Sequence, residues 1–533
     1  MKLPLRINSI FEGKQPSQYF GKDGTYLSSI AIDPDYPISS SDVEPSGFAV
    51  PIGYSVFSGA NVTAAPVAII TNPKNTLTYA VLTNGRLISY NSSLASETLI
   101  GTVTGGKAHG AAYYNNYIYI FGTGASENDV SRYGPLNNSP TLVDAVWTGA
   151  TLGSLAVISD TTYPTLRSVE MPNHWAHVHG DNALYFLDYE SKAGGSAPGQ
   201  GLVHKIKTSK TTNEGDTNNG SAYNVLDLPM GFYPTAITNV NTNILITGIL
   251  STDTTINQGR AAFVLWDPTD TVSFFLGPVP MSDSLVTAAL NVNGQVFVWT
   301  GNAQNGVKLS QYTGGTSMSD ILTQSEGLPP FAGAVASNGS RISWGGFTTI
   351  PSVAAIVSGY GSKDPRLPVG LHNIAKASSS GATPIVTAIG YVQQSSFIQP
   401  KLVIGWNDAS ATGIDQYSAT ATLASKLRWM VNIGQRFQIN KIRIPFGGAV
   451  AANTTITPAI YLDDSASAVT PALTVINNTN YSGKRKVIYK GEHLKGYVGE
   501  NSFIFELAWT STNPLPVAFP IIFDIDLIED ETN

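Results

Sequence analysis

Hydrophobic positions in this chain come in short runs broken by Asn or Gly, and one phrase returns several times. It occupies 79–90 with Asn84-Gly85 at its centre, 110–122 with Asn115-Asn116, and 177–186 with Asp181-Asn182. Further copies lie at 235–246 around Asn239-Val240-Asn241, at 287–299 around Asn293-Gly294, and at 332–339, ending on Asn338-Gly339. Each copy predicts two antiparallel strands joined by a tight turn, because Asn and Gly tolerate the positive φ of short hairpin turns. Most copies recur at intervals of roughly 45–60 residues, the spacing of propeller blades once loops are added. A weaker seventh copy pairs 385–391 with 401–406. The pattern therefore predicts a β-propeller of six or seven blades over 61–419. Its inner strands are rich in Ala, Gly and Thr, as suits blades that converge on a crowded axis.

Beyond residue 420 the style changes. The segments 437–446, 486–489, 502–509 and 520–527 are longer and alternate apolar with polar over part of their length. That alternation predicts an antiparallel, jelly-roll-like β-sandwich over 420–533. The acidic run from Asp524 to Asp530 suits an edge strand protected by its charges. Residues 1–60 carry turn signals, Pro and Ser but little alternation. They read either as an extended arm reaching another surface or subunit, or as a strand closing the propeller. With no capped helical periodicity anywhere, the chain is expected to be all-β.

Composition narrows the function. Charged residues make up only 13 % of 533 positions and the net charge is −7, while 42 % are hydrophobic. That is enough for large cores, so disorder is the wrong class. Without a long basic block, neither sequence-specific nucleic-acid binding nor an anionic membrane is expected. The apolar strands never merge into the roughly 20 residues of a membrane helix, and the first residues lack the apolar stretch of a secretory signal. The chain contains no cysteine, which removes disulfides, thiolate metal sites and cysteine nucleophiles.

Candidate chemistry centres on 174–181. His177 and His179 alternate by two, so on a strand they face one side as two metal ligands would, and Asp181 could add a third. The competing reading makes them hydrogen-bonded inner-strand residues near the propeller axis, and it is the one adopted, so no metal or other cofactor is expected. A glycosidase would need two carboxylates about 5–10 Å apart around the funnel. The inner phrases are instead neutral, and Asp181 stands nearly alone. Asp267-Pro268-Thr269-Asp270 and Asp463-Asp464 sit where turns favour Asp. Gly-rich 194–201 precedes no helix, so it offers no phosphate cradle. Lys484-Arg485-Lys486, the strongest basic cluster, is a solvated strand end or an interface to an acidic neighbour. The chain reads as a non-enzyme.

Three stretches carry a resemblance. They are Tyr26-Leu27-Ser28-Ser29-Ile30-Ala31-Ile32-Asp33 before the first blade, 401–408 with Gly413-Ile414-Asp415-Gln416-Tyr417 at a junction, and 437–446 opening the sandwich. With the order arm, degenerate propeller and sandwich, they resemble virion and tail structural proteins of bacteriophages, such as nozzle or hub components. The resemblance implies a virion protein assembled in the host cytoplasm into a symmetric homo-oligomer that contacts other tail proteins. It transfers no catalytic residues. A second expectation is a tail propeller that binds a host surface glycan or receptor through Tyr113, Tyr114 and Trp175.

Overall fold

The computed structural model describes residues 2–7, 13–14, 25–30, 32–33, 48–51 and 53–56, and then 59–528 with some segments left out. Those segments are 73–76, 92–95, 126–128, 148–174, 191–198, 207–222, 252–258, 269–275, 303–305, 325–328, 339–341, 347–355, 361–367, 374–384, 393–399, 408–410, 419–424, 511–512 and 514. His174 and most of the Gly-rich 194–201 lie outside the described residues.

Asn and Gly turn the chain where the spacing predicts. Gly85, Asn116, Asn182, Asn241 and Gly294 all adopt positive φ, from 54° at Asn241 to 84° at Gly294. The hairpins they join assemble into four-stranded antiparallel sheets. Five of these sheets, at 66–102, 110–147, 176–230, 232–280 and 285–324, keep their strands in chain order. A sixth set runs over 335–373, and a seventh sheet combines Ile385–Val392, Lys401–Asn407 and Thr412–Ser418 with Gly53–Val56. The first strand of each sheet touches the first strand of the next, and Ile385–Val392 closes the circle on Pro66–Thr71. The sheets are thus blades around an axis, seven of them among the described residues.

Two details of the sequence reading change. The copy at 79–90 joins the second and third strands of its blade, whereas 110–122, 177–186, 235–246 and 287–299 join the first and second. Every hairpin in a blade needs a tight turn, so the turn signal alone cannot say which hairpin it marks. Residues 412–418, read as a junction, are the third strand of the seventh blade.

Strands of the N-terminal segment are paired within the chain. Gly53–Val56 runs antiparallel to Thr412–Ser418, with Val56 opposite Asp415 and Gly53 opposite Ser418, so the two ends of the propeller close in one sheet. Lys2–Ile7 pairs along its whole length with Ile521–Leu527. Ser28–Ile30 lies between Ser425–Asn432 and the outer strand Pro368–Asn373 of the sixth blade, joining both into one nine-stranded sheet. Among the described residues of 1–60, Gly53–Val56 closes the propeller, while Lys2–Ile7 and Ser28–Ile30 lie along the C-terminal sheets.

The C-terminal region encloses one core between two sheets. One sheet orders Lys2–Ile7, Ile521–Leu527, Phe437–Pro445 and Lys486–Lys490, and the other contains Ser425–Asn432, Ser502–Trp509 and Thr455–Leu462. Phe437, Ile439, Ile442 and Ile444 point inward and are buried. A bulge between Ile439 and Lys441 shifts the phase, which is why the alternation over 437–446 holds only in part. Across the core, the Phe523 ring meets Phe503 at 5.1 Å and Phe505 at 5.2 Å. Side chains of this size contribute about 1.5–3 kcal/mol each on full burial. Ile521–Leu527 is a central strand rather than the expected edge. Its acids face outward, and Asp524 pairs with Lys441 of the neighbouring strand at 2.9 Å instead of repelling a stray one.

Candidate functional site at the propeller axis

The inner strand Ala176–His179 of the third blade carries the histidines singled out above. His177 lies opposite Tyr185 and His179 opposite Ala183 on the neighbouring strand. Burial, with the adjacent His179 as a smaller cause, lowers the His177 imidazole to about 4. The His177 ring is therefore neutral near pH 7. His177 Nε2 and His179 Nδ1 are shielded from solvent without a hydrogen-bond partner, and the His179 ring meets Tyr185 edge-on at 6.0 Å.

Asp181 does not join them as a ligand. One of its oxygens accepts from the Tyr185 hydroxyl at 2.9 Å and from Lys205 Nζ at 2.8 Å, and the other accepts from the Ala183 N–H at 3.2 Å. Burial pushes the Asp181 carboxyl up, but the bonds from Lys205 and Tyr185 outweigh it and hold it below the ordinary value. Its place in the Asp181-Asn182 turn explains this role, since a turn Asp bonds the backbone two residues on. Among the described residues, no group of three or more His, Cys, Asp or Glu side chains could hold a metal ion.

The aromatic candidates are built into the packing. Tyr114 is buried, and its hydroxyl donates to the Asn182 carbonyl at 2.7 Å, tying the second blade to the third-blade turn. Tyr113 is half-buried against the core of the first two blades. Trp175 packs against the cores between the third, fourth and fifth blades, and its carbonyl accepts from the Leu187 N–H at 3.0 Å. None of the three stands free as a stacking platform.

Trp175 also meets a plug. The buried 3₁₀ turn Ala332–Ala334 precedes the inner strand of the sixth blade. A Cβ on Gly333 would stand 2.5 Å from the Val67 carbonyl oxygen of the first blade. It would also lie 3.3 Å from the Thr387 carbonyl oxygen of the seventh and 3.5 Å from the Trp175 ring. This glycine is required by close approach. Residues from the first, third, sixth and seventh blades thus converge on the axis at the end where the inner strands begin.

One polar pair escaped the sequence reading. His204 Nε2 and Asp188 Oδ2 lie 2.8 Å apart with both side chains fully buried, and Asp188 Oδ1 accepts from the Tyr189 N–H at 2.7 Å. The signal was an acid inside the apolar run 183–189 with a histidine on the next strand. A related network crosses the fifth blade, where Thr300 donates to Asp283 at 2.6 Å and Lys308 reaches Asp320 at 2.8 Å. These carboxylates brace neighbouring strands.

No protein-family model matches the chain, and no curated protein is significantly similar to it. Solved structures do match across about two-thirds of its length. The β-propeller domain of Cps50 (Swd1) from Myceliophteria thermophila is 8 % identical with a TM-score of 0.41, covering 68 % of this chain and 99 % of that one. The Pan2 WD40 domain of Neurospora crassa is 10 % identical with a TM-score of 0.38, covering 70 % and 95 %. An exo-β-1,3-galactanase from Phanerochaete chrysosporium is 11 % identical with a TM-score of 0.29, covering 79 % and 96 %.

Proposed function

We propose that this protein is a structural component of a tailed-phage virion, a tail part that assembles into a symmetric oligomer and catalyses no reaction. The observation that carries this reading is the close convergence of four blades at one end of the axis. Propeller folds place ligands where side chains converge on an open, concave mouth. Here Trp175 and the 332–334 turn occupy the end at which the inner strands begin. The acids of the third blade support the same reading, because Asp181 and Asp188 are each committed to strand-bracing bonds.

A second support lies in how the units are joined. Strands from residues 1–60 enter the seventh blade, both C-terminal sheets and the outer edge of the sixth blade. Relative motion of propeller and C-terminal unit would break several ladders at once. Such a body suits a part that transmits load or holds a position in a particle. Proteomic mass spectrometry of purified particles tests the proposal. Peptides from this chain at several copies per particle are expected, and their absence from intact particles would refute it.

A further inference from the structure

The outer face of the C-terminal five-stranded sheet carries charges that its own fold leaves unanswered. Strand register fixes the neighbours. Lys2 stands opposite Asp526, and Asp526 opposite Gln438. The next row is Pro4, Asp524, Lys441 and Lys490, followed by Arg6, Ile522, Arg443 and Ile488. Pro445 and Lys486 complete the face. Alternation turns all of them away from the core that their chain neighbours fill.

Six cations therefore stand with two carboxylates on one flat surface. Lys441 is joined to Asp524 at 2.9 Å, while Lys2, Arg6, Arg443, Lys486 and Lys490 have no carboxylate partner among the described residues. The Arg443 Nε is shielded with nothing to donate to. A net +4 on this face leaves −11 on the rest of a chain whose total is −7. At the end of the same edge strand, Lys484 and Arg485 are also exposed.

We propose that this face docks on the acidic exterior of a second copy of the chain, head to tail. The inference rests on the oligomeric reading above and names its contact surface. Two features favour a protein partner over a nucleic acid. Asp524 and Asp526 run along a strand inside the face and would repel phosphates. Ile488, 38 % exposed, and Ile522 sit between the cations, and mixed Arg and apolar contacts are typical of protein interfaces. Face-to-face pairing of two copies would oppose like charges. The contact is therefore heterologous, and such contacts close into rings or grow into filaments.

Sedimentation velocity on the full chain at about 0.05 M and about 0.5 M salt tests this, since exposed charges are screened within roughly 3–10 Å at high to moderate salt. Wild type should associate at low salt and dissociate as salt rises. Lys486→Glu with Lys490→Glu should weaken association by about 10-fold or more with the melting transition unchanged. Lys2→Glu with Arg6→Glu, on the opposite edge of the face, should act in the same direction and decides the matter if the first variant loses its melting transition. Wild-type association that neither variant weakens overturns this surface and leaves the oligomeric reading standing. A wild type that stays monomeric at both salts overturns both. A labelled DNA duplex that binds wild type and not the variants, with self-association unmoved, assigns the face to a polyanion and overturns the proposal.

Discussion

His177 matters through its burial rather than through ligation. Period-two spacing with His179 looks like a ligand pair, but the neutral imidazole is held by burial, and the acid that might complete a site is bonded to Tyr185 and Lys205. A histidine whose folded value is about 4 against an ordinary value near 6.5 binds its proton more readily unfolded. Its contribution is present above about pH 6.5 and is lost progressively as pH falls towards 4. Between pH 7.5 and pH 5 the loss should be ~2 kcal/mol. Urea unfolding at the two pH values checks this, and His177→Gln should remove that part of the pH dependence. An unchanged difference in the variant would assign the acid sensitivity to other groups. Asp463 illustrates the opposite environment. Burial pushes its carboxyl up, but N–H groups of Glu500, Asn501 and Ser502 donate to it and bring it below the ordinary range. There the sequence reading of Asp463-Asp464 as a turn was sufficient, since both residues have positive φ.

At the scale of elements, the N-terminal strand Lys2–Ile7 is the clearest case of structure outside the reach of local pattern. Its six residues pair in register with Ile521–Leu527, more than 500 positions away, and Ile7 enters the C-terminal core. Removing residues 1–7 should expose Ile521–Leu527 as an edge and uncover apolar core, at a cost of about 2–5 kcal/mol. Chemical denaturation of the truncated chain measures that loss, and a full-stability truncation would contradict the pairing. Blade-forming hairpins were legible because each is local: an Asn or Gly at positive φ with apolar strands on both sides. The all-β class and the propeller followed from those hairpins. Blade number was not, because the seventh blade borrows Gly53–Val56 and takes in 412–418, so its completeness depends on a contact between distant segments. The same limit hid the Asp188–His204 pair and the role of Gly333, since each is defined by what another strand brings to it. Aromatic residues at 113, 114 and 175 were visible as types, whereas their burial depended on neighbouring blades.

On the scale of the molecule, the seven blades and the two-sheet unit seen among the described residues are joined by strands from one N-terminal segment, and residues of four blades meet at the end of the axis where the inner strands begin. A body built this way has its outer surfaces left for recognition, and the basic sheet face is one of them. In the proposed assembly, low overall charge density would permit close packing of copies, and a local excess of cations against an acidic remainder would give that packing a direction. The proposed structural role requires copies of this chain to assemble with defined symmetry. Negative-stain imaging of the purified protein at high concentration and low salt, sorted into class averages, tests it most directly. Closed rings or regular stacks are the predicted result, and isolated single discs with a smaller lobe at every concentration would contradict it.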